Sequence, residues 1–381
     1  MHKLGRRIQR RALFGETRDM NTRRYSSRSG IAPATIGLIA LCLAFLVGCA
    51  GVQPAGESGR GKFEFGLIGD TQYDAESEAK FPHLMDDVNR ANLTFVVHVG
   101  DFKDGSAPRC DDALFKLRKE QFDASRHPFI YTPGDNEWTD CHDPKAGGYD
   151  TTERLVSLRE VFFQGNQSLG QQKLTVKRQS DTPQYSKFRE NARWSYGNVL
   201  FITLHMVGTN NNLGRVPAAD AEYRERNAAN LAWLKETFDI AKREGSRAVA
   251  ILMQANPYFE QRYPPARLRT LARPPAIDGK NVLQPSGHAD FMSSLESEVV
   301  AFGKPVVLLH GDSHYFRVDK PLFRSKEAGP KDFGRQVENF TRVETFGAPE
   351  VHWVRIIVDP DDPHVFTFKE QIVEKNRFGS P

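Results

Sequence analysis

The chain repeats one pattern, in which a short apolar run ends in a glycine or a polar residue and then in a carboxylate, an amide or a histidine. Each run has the length and the β-branched or aromatic content of a strand. The runs are "FEFGLIGD" to Asp70, "LTFVVHVGD" to Asp101, "HPFIYTPGD" to Asp135, "AVAILMQANP" through Gln254, and "PVVLLHGDSH" to Asp312 and His314. The pattern predicts five strands with polar side chains at their carboxyl ends.

Apolar residues at helical spacing separate these runs. They are Phe81, Leu84, Met85 and Val88, then Leu114, Leu117 and Phe122, and later Leu231, Leu234, Phe238 and Ile240. Strands that alternate with helices predict an α/β fold with a largely parallel core, in which ligands bind at the carboxyl ends of the strands. A further core strand is predicted at "YGNVLFITLHMV", and closing strands at "VETFG", "VHWVRIIVD" and "HVFTFK", the last two joined by a turn at "PDDP".

Two segments interrupt this alternation and are predicted to be insertions that could cover a site. The first, at about 143–193, is polar and contains the basic stretch "KLTVKRQ". The second, at about 256–286, is rich in proline and arginine. An apolar fraction of 39% with 26% charged residues is typical of a globular protein. We therefore expect one domain at 62–375 that carries both insertions.

The first 49 residues are predicted to be a secretory signal rather than part of the fold. Residues 1–30 carry nine Lys and Arg against two acids, and the uncharged stretch after them contains an apolar run too short to span a bilayer comfortably. The segment ends in "LVGC", which resembles the bacterial lipobox and implies lipidation of Cys49. An uncleaved membrane anchor is the alternative, and translation could start at Met1 or Met20.

The charge of the remaining chain gives no argument for nucleic acid binding. Once the signal is removed, a small-residue linker at 50–61 leads into a domain with a slight excess of acid, although the whole sequence has a pI of about 8.8. We expect no specific nucleic acid partner. The expected location is the periplasmic face of a membrane or the cell surface, where the N-terminal lipid holds the protein; the oligomeric state is open.

Cys110 and Cys141 are the cysteines of the globular part. Because an exported chain meets oxidising conditions, this pair predicts a disulfide that closes a loop of about 30 residues. Two buried free thiols are the alternative.

The strand ends gather an unusual number of carboxylates. A single Gly-Asp is common turn chemistry. Buried together, however, Asp70, Asp101, Asp135 and Asp312 would repel one another strongly unless cations neutralise them. The sequence therefore predicts a metal site.

The motifs "GDTQ", "GDFKD", "GDNE", "QANP" and "GDSH" resemble, in order and approximate spacing, those of the calcineurin-like metallophosphoesterases. The resemblance covers about residues 62–370 and implies a four-layer αββα sandwich with two divalent metal ions. These ions are bridged by one Asp and by a hydroxide that attacks phosphorus. The implied ligands are Asp70, Gln72, Asp101 and His314 for the first ion, and the bridging Asp101 with Asp135, Gln254 and Asp312 for the second.

The motifs also depart from the family pattern. Asp135 stands where the family has Asn, and Asn136, Gln254 and Asp312 stand where it has His, so that His314 is the one motif histidine left. Oxygen ligands in place of nitrogen ligands shift the preference from Zn²⁺ toward harder ions. We therefore expect Mn²⁺ or Mg²⁺.

Asn136 replaces the histidine that usually stabilises or protonates the leaving group. Loss of a general acid typically lowers a rate by about 10² to 10⁴. Candidate catalytic residues are therefore Asn136 itself and the residues that could replace the acid, Glu137, His205 and His310. Alternatively, the substrate has a good leaving group, or catalysis has been lost.

Two further segments could lie at the site, and each also has an interpretation without a functional role. Arg262 and Arg267, followed by Arg269 and Arg273, come after the Gln254 strand and could bind a substrate phosphate through their forked donors. A solvated loop is the alternative for them. The segment "GTNNN" is predicted to be a polar loop near the strand ends, or simply a turn. His98 is predicted to be a core residue.

The expected function is metal-dependent hydrolysis of a phosphate ester, either a monoester or a diester, with a phosphorylated small molecule or a nucleotide as substrate. The alternative is a catalytically lapsed member of the same fold, which would bind a ligand or a partner in the cell envelope. A purely structural lipoprotein would leave four clustered carboxylates without a purpose.

Overall fold

Two β-sheets form the centre of the fold, and their strands come from the apolar runs of the sequence. The computed structural model describes residues 61–262 and 285–379. In chain order, the strands in these ranges are β1 (Phe63–Ile68), β2 (Val96–His98), β3 (Phe129–Tyr131), β4 (Lys177–Arg178), β5 (Ala192–Tyr196), β6 (Val199–Thr203), β7 (Ala248–Leu252), β8 (Val306–His310), β9 (Arg317–Asp319), β10 (Phe340–Glu344), β11 (Trp353–Val358) and β12 (Phe366–Gln371). The longer helices are α1 (Ala75–Arg90), α2 (Asp112–Asp123), α3 (Thr151–Phe162), α4 (Pro217–Glu244) and α5 (Ala289–Phe302).

Both sheets contain a parallel block. The first sheet has the strand order β12-β11-β1-β2-β3, and the second has the order β4-β5-β6-β7-β8-β10-β9. β1, β2 and β3 are parallel, and so are β6, β7, β8 and β10. The closing strands β11 and β12 pair antiparallel. Each parallel block therefore places the carboxyl ends of its strands at one edge, where ligands bind in such sheets.

Apolar side chains from both sheets fill the space between them. One cluster combines Phe65 and Val97 of the first sheet with Phe201, Ala250 and Leu309 of the second. All five are fully buried. The rings of Phe65 and Phe201 meet edge to face across this core, with centroids 5.5 Å apart. The two sheets therefore pack face to face.

Helices cover the outer face of each sheet. Phe81 of α1 and Phe115 of α2 pack with Val96 of the first sheet. Leu234 of α4 and Leu295 of α5 pack against the second sheet. The order of layers is helix, sheet, sheet, helix, which confirms the predicted four-layer αββα architecture.

The start of α1 fixes the loop that follows β1. Asp74 caps the helix by accepting the backbone N–H of Ser77 at 2.8 Å. The Ser77 hydroxyl in turn accepts the backbone N–H of Asp74 at 2.9 Å, and also that of Tyr73 at 2.8 Å. This reciprocal capping box holds residues 70–74 in one conformation between strand and helix.

The segment "YGNVLFITLHMV" differs from its prediction at its start. Tyr196 belongs to β5, and the chain turns at Gly197 and Asn198, with φ of +55° and +59°, before β6 begins. Two residues with positive φ form the turn whose twist matches that of a β-hairpin. The predicted core strand is confirmed as β6, but it begins at Val199 rather than at Tyr196, because the Gly-Asn dipeptide is itself the hairpin turn.

The first insertion contributes to the layers of the fold. Its helix α3 packs on the outer face of the first sheet through Leu158 and Phe162, and β4 pairs with β5 at the edge of the second sheet. The predicted signal at 1–49 with Cys49, nearly all of the linker, and most of the second insertion lie outside the described residues. Within the described ranges, none of the helices combines the length and the apolarity that a membrane crossing needs.

Candidate metal centre

The predicted metal ligands lie on loops that leave the carboxyl ends of parallel strands. Asp70, Asp101 and Asp135 follow β1, β2 and β3 of the first sheet. Gln254 and Asp312 follow β7 and β8 of the second sheet. Because both sheets present the same ends of their strands here, the fold brings together residues that are far apart in the sequence.

Two hydrogen bonds join the loops of the two sheets. The backbone N–H of Asp312 donates to Asp70 Oδ1 at 2.9 Å. The side-chain amide of Gln254 donates to Asp101 Oδ2 at 3.0 Å. Residues from both sheets therefore form one polar cluster.

Asp135 and Asp312 face a common point beside Gly208. A Cβ atom built on Gly208 would lie 2.6 Å from Asp135 Oδ1 and 2.8 Å from Asp312 Oδ1. The hydroxyl of Thr209 donates to Asp135 Oδ2 at 2.5 Å and lies 3.4 Å from an oxygen of Asp140. Asp140 is a further acid at this side of the cluster that the motif pattern did not indicate.

The backbone at the cluster adopts a conformation that residues other than glycine rarely occupy. The angle φ is +50° at Asp70, +69° at Gln72, +57° at Asp101, +82° at Asp312 and +57° at His314. Such a residue costs about 1 to 3 kcal/mol and persists only where the surrounding structure imposes it, most often at functional sites. These five residues all belong to the predicted ligand set.

Burial makes the charged forms of these acids unfavourable. It raises the pKa of Asp70, Asp101 and Asp135 well above the usual range of an aspartate, and neighbouring carboxylates raise each pKa further. For Asp312, burial raises the pKa to about 6. A bound cation would offset this repulsion by pairing with the carboxylates.

Several oxygen atoms of the cluster fit a bound cation. Asp70 Oδ2, Gln72 Oε1 and Asp135 Oδ1 are buried and have no hydrogen-bond partner among the described residues. A buried oxygen without a partner is costly, so an ion or water is the expected occupant of its lone pairs. Nevertheless, in the part of the chain that the structure describes, no three His, Cys, Asp or Glu side chains converge closely enough to hold one ion. A metal site here therefore needs amide, backbone or water oxygens as well.

Gln72 is oriented by its amide nitrogen. Nε2 donates to Glu78 Oε2 at 3.2 Å and to Gln121 Oε1 at 3.0 Å. Arg118 is hydrogen-bonded to the same two side chains. These contacts fix the amide and leave Oε1 as its unpaired atom, which is the atom that a ligand role requires.

His314 is oriented by a backbone carbonyl. Its Nδ1 lies 2.8 Å from the carbonyl oxygen of Ala348. A proton on Nδ1 leaves Nε2 with a free lone pair, as in histidines that bind metals. Nε2 lies 3.9 Å from Asp70 Oδ1.

Tyr73 lies within the cluster, although the sequence analysis did not single it out. Its hydroxyl lies 3.1 Å from Asp101 Oδ2 and 3.2 Å from His314 Nε2, and it accepts from Asn136 Nδ2 at 3.1 Å. Burial, and then the charge of Asp101, raise the pKa of Tyr73 well above its usual value. The one sequence signal was its position directly after Gln72.

Asn136 and Glu137 hold the loops of the cluster in place. Asn136 donates its backbone N–H to Asp101 Oδ1 at 3.2 Å and its amide to the Lys103 carbonyl at 2.9 Å. Glu137 is fully buried and accepts the backbone N–H groups of Asp101 and Gly134 at 3.1 and 2.8 Å. The contacts of Glu137 are therefore with the protein itself, which suits positioning of Asp101 rather than proton transfer.

His205 and His310 are held by groups other than the predicted ligands. His205 Nδ1 lies 2.7 Å from Glu190 Oε1, and its ring packs beside Trp138 with centroids 5.3 Å apart. His310 Nδ1 lies 2.8 Å from the carbonyl oxygen of Gly311. Each has a buried Nε2 without a hydrogen-bond partner in the described part of the chain. Among the described residues, neither ring is hydrogen-bonded to a side chain of a predicted ligand.

The remaining predicted residues lie beside the cluster or outside the described structure. Cys110 and Cys141 are joined by a disulfide, and both sulfur atoms lie 3.7 to 3.8 Å from the carbonyl oxygen of Asn136. The side chain of Arg262 and all of Arg267 fall outside what the structure describes, so their predicted role in substrate binding stays a prediction.

Three solved structures align with this chain at low sequence identity. A 5'-nucleotidase from Candida albicans SC5314 aligns at 10% identity with a TM-score of 0.38, covering 81% of this chain and 50% of that chain. Vacuolar protein sorting 29 from Cryptosporidium parvum aligns at 9% identity with a TM-score of 0.29, covering 82% and 97%. A protein serine/threonine phosphatase from Saccharomyces cerevisiae aligns at 13% identity with a TM-score of 0.29, covering 81% and 79%. This chain therefore spans about half the length of the nucleotidase.

No curated protein matches the sequence. The model of one family, the calcineurin-like phosphoesterases, does match it, over residues 63–316. The matched segment begins at β1 and ends just past His314, so it contains every strand end that contributes to the cluster. With two thirds of the sequence matched and the acids brought together by two facing sheets, the chain belongs to the calcineurin-like phosphoesterase family.

Proposed function

We propose that the protein hydrolyses a phosphate ester, monoester or diester, with two divalent metal ions. The observation that carries this proposal is the cluster itself. Of its four acids, Asp70, Asp101 and Asp135 are at most 6% exposed, and Asp312 is partly exposed. The backbone is strained at Asp70, Asp101 and Asp312. Strained residues persist where the surrounding structure imposes them, and they cluster at functional sites.

The residues of the chain divide into two ligand groups around Asp101. Asp70, Gln72 and His314 would hold one ion. Asp135, Gln254 and Asp312 would hold the other. Two ions at such a site neutralise the attacking and leaving oxygens and lower the pKa of a bound water. The oxygen-rich donor set favours Mn²⁺ or Mg²⁺ over Zn²⁺.

Tyr73 and Asn136 take the place of the missing histidine in this proposal. The Asn136 amide holds the Tyr73 hydroxyl at 3.1 Å, and that hydroxyl lies 3.1 Å from Asp101. A hydroxyl so placed can donate a hydrogen bond to an oxygen of a bound phosphate ester. Phosphorylated small molecules and nucleotides are the proposed substrates. The proposed location is outside the cytoplasm, with the protein held to a membrane by lipid on Cys49.

The test is metal content together with hydrolysis. The purified protein is reconstituted with Mn²⁺, Mg²⁺ or Zn²⁺, and elemental analysis is paired with hydrolysis of p-nitrophenyl phosphate and bis-p-nitrophenyl phosphate. We expect about two ions per chain and metal-dependent turnover. Asp101→Asn should remove both, because it withdraws charge from both ligand groups. Asp361→Asn, at an exposed turn, is the matched control.

A lapsed enzyme is the second candidate, and two observations favour it. Among the described residues no three His, Cys, Asp or Glu side chains converge on one point, and Asn136 cannot donate a proton as the family's histidine does. Such a protein would bind a phosphorylated ligand or an envelope partner without turnover. Bound metal with no hydrolysis of either ester would support it, whereas turnover that Asp101→Asn abolishes would exclude it.

A further inference from the structure

The segment "GTNNN", residues 208–212, forms a left-handed turn. The angle φ is +46° at Thr209, +55° at Asn210, +55° at Asn211 and +66° at Asn212. Single residues other than glycine visit this region, but successive ones are rare because each costs about 1 kcal/mol or more. Four in succession need strong support from the rest of the structure.

That support comes from the asparagine side chains. Asn210 Oδ1 accepts the backbone N–H of Gly287 at 2.8 Å. Asn211 Oδ1 accepts from Arg226 at 2.5 Å, and Asn212 donates to a glutamate of α4 at 2.9 Å. All three asparagines are buried. The turn is therefore rigid, and its shape is imposed by three separate contacts.

The turn exposes one of its residues beside the acidic cluster. Thr209 is exposed, whereas Gly208 and Asn210 on either side of it are buried. Its hydroxyl donates to Asp135 Oδ2 at 2.5 Å, and the backbone N–H of Gly208 donates to Gln254 Oε1 at 2.6 Å. The strained backbone thus places an exposed hydroxyl beside Asp135 of the second ligand group.

We propose that Thr209 is a substrate-positioning residue whose hydroxyl donates to an oxygen of the phosphoryl group. The proposal rests on the proposed function. The Thr209 hydroxyl has one proton, which forms a hydrogen bond to Asp135 in the present structure. A cation held by Asp135 would make that carboxylate a weaker acceptor, and the exposed hydroxyl would then be free to donate to a phosphoryl oxygen of the substrate. Hydrogen bonds to charged groups are the stronger ones.

The experiment uses three variants of the full-length protein loaded with Mn²⁺. Thr209→Val keeps the shape of the side chain and removes the hydroxyl, and Thr209→Ser restores the hydroxyl. Thr367→Val, at an exposed position of the edge strand β12, makes the same chemical change far from the turn in sequence. The measurements are metal content, the unfolding midpoint, the Kd of inorganic phosphate by calorimetry, and KM and kcat for p-nitrophenyl phosphate.

We expect Thr209→Val to keep its metal and its unfolding midpoint while phosphate binds about 10-fold more weakly and KM rises in parallel. Thr209→Ser should bind phosphate within about threefold of the unchanged protein, and Thr367→Val should not differ from it. Unaltered phosphate affinity in Thr209→Val would overturn the proposal. Loss of metal in that variant would overturn it too, since Thr209 would then act through Asp135.

The proposed function fails in a different and recognisable way. If the unchanged protein takes up no metal, or takes it up and binds no phosphate, the proposed function is wrong and the role of Thr209 falls with it. If the unchanged protein binds both and hydrolyses p-nitrophenyl phosphate, and Thr209→Val binds phosphate equally well, the hydrolase stands and the positioning role alone is wrong.

Discussion

Gly208 occupies a position where the acidic cluster leaves no room for a side chain. A Cβ atom there would lie 2.6 and 2.8 Å from the two oxygens of Asp135 and 2.8 Å from Asp312 Oδ1. Real Cβ atoms essentially never approach other atoms so closely, and the acceptors cannot move without changing the ligand group. The reason for glycine is therefore steric contact with the acids and not backbone freedom.

Replacing Gly208 by alanine should displace Asp135 and Asp312 from each other. We expect fewer ions bound per chain and a loss in kcat/KM of about 100-fold, since a misplacement of about 1 Å at a reacting centre has that effect. Elemental analysis and hydrolysis of p-nitrophenyl phosphate measure both. Gly61→Ala is the matched control, because nothing lies within 4 Å of its Cβ position. Unchanged metal content in Gly208→Ala would show that the cluster adapts.

At the residue scale, the acids of the cluster can be predicted from the sequence more easily than the residues that contact them in the folded chain. Asp70, Asp101 and Asp312 each follow a glycine at the end of an apolar run, so local pattern alone finds them. Thr209 contacts Asp135 across 74 positions of sequence. No local spacing reveals such a contact, because the tertiary structure alone creates it.

At the scale of elements, a disulfide joins the loops that leave β2 and β3. Cys110 precedes α2, and Cys141 lies in the short 3-10 helix at Asp140–His142. Both cysteines are fully buried, as is Ala146, and the half-buried Tyr149 packs against them. The disulfide therefore links the segment after Asp101 to the segment that contains Asn136 and Asp140.

Removing this disulfide should destabilise the protein without changing its layers. A cross-link across 31 positions lowers the entropy of the unfolded chain by an amount worth about 3 to 4 kcal/mol. We expect that loss in Cys110→Ala/Cys141→Ala, measured by denaturant unfolding. A reducing agent should destabilise the unchanged protein and leave the double variant unaffected. Equal stabilities of the two proteins under oxidising conditions would contradict the prediction.

Elements were predictable where one periodicity dominated a segment. β1, β7 and β8 are continuous apolar runs and were recognised as strands, and α1, α2 and part of α4 were recognised from helical spacing. β5 was missed because "ARWSY" alternates weakly and ends at a hairpin turn within a longer apolar stretch. α5 was missed as well, although "FMSSLESEVV" has helical spacing, because its start follows the proline-rich insertion.

At the scale of the whole molecule, buried histidines and buried acids have opposite effects on how the stability of the fold changes with pH. Burial lowers the pKa of His98 to about 3 and of His288 to about 4, and it also lowers the pKa of His205 and of His310. These bases take up protons mainly on unfolding, so their contribution to stability is complete above their unfolded pKa of about 6.5 and is lost as the pH falls below it.

Acids buried in or near the acidic cluster act in the other direction. Burial raises the pKa of Asp312 to about 6 and that of Glu344 to about 7. In the absence of metal, the folded state takes up these protons before the unfolded state does, so these two groups favour folding as the pH falls from about 7 to 4. The change of the free energy of unfolding with pH is therefore the sum of these opposing contributions. A comparison of variants isolates the contribution of a single histidine.

His98 allows that comparison. It accepts the backbone N–H of Gly100 through Nδ1 at 3.1 Å, it packs on Phe122, and Arg118 is the charged group that lowers its pKa after burial. Between pH 7.5 and 5, proton uptake by unfolded His98 should cost the unchanged protein about 2 kcal/mol. His98→Asn, which keeps an acceptor near the Nδ1 position, should lack this loss whatever its stability at pH 7.5.

Denaturant unfolding at the two pH values measures the difference, and the other titrating groups cancel between the two proteins. His364→Asn, at an exposed turn, is the control and should follow the unchanged protein. If His98→Asn shows the same change with pH as the unchanged protein, then His98 already binds its proton in the folded state. The protonated imidazole would then need a hydrogen-bond acceptor within the core for its Nδ1 proton. The backbone N–H of Gly100 would lose Nδ1 as its acceptor.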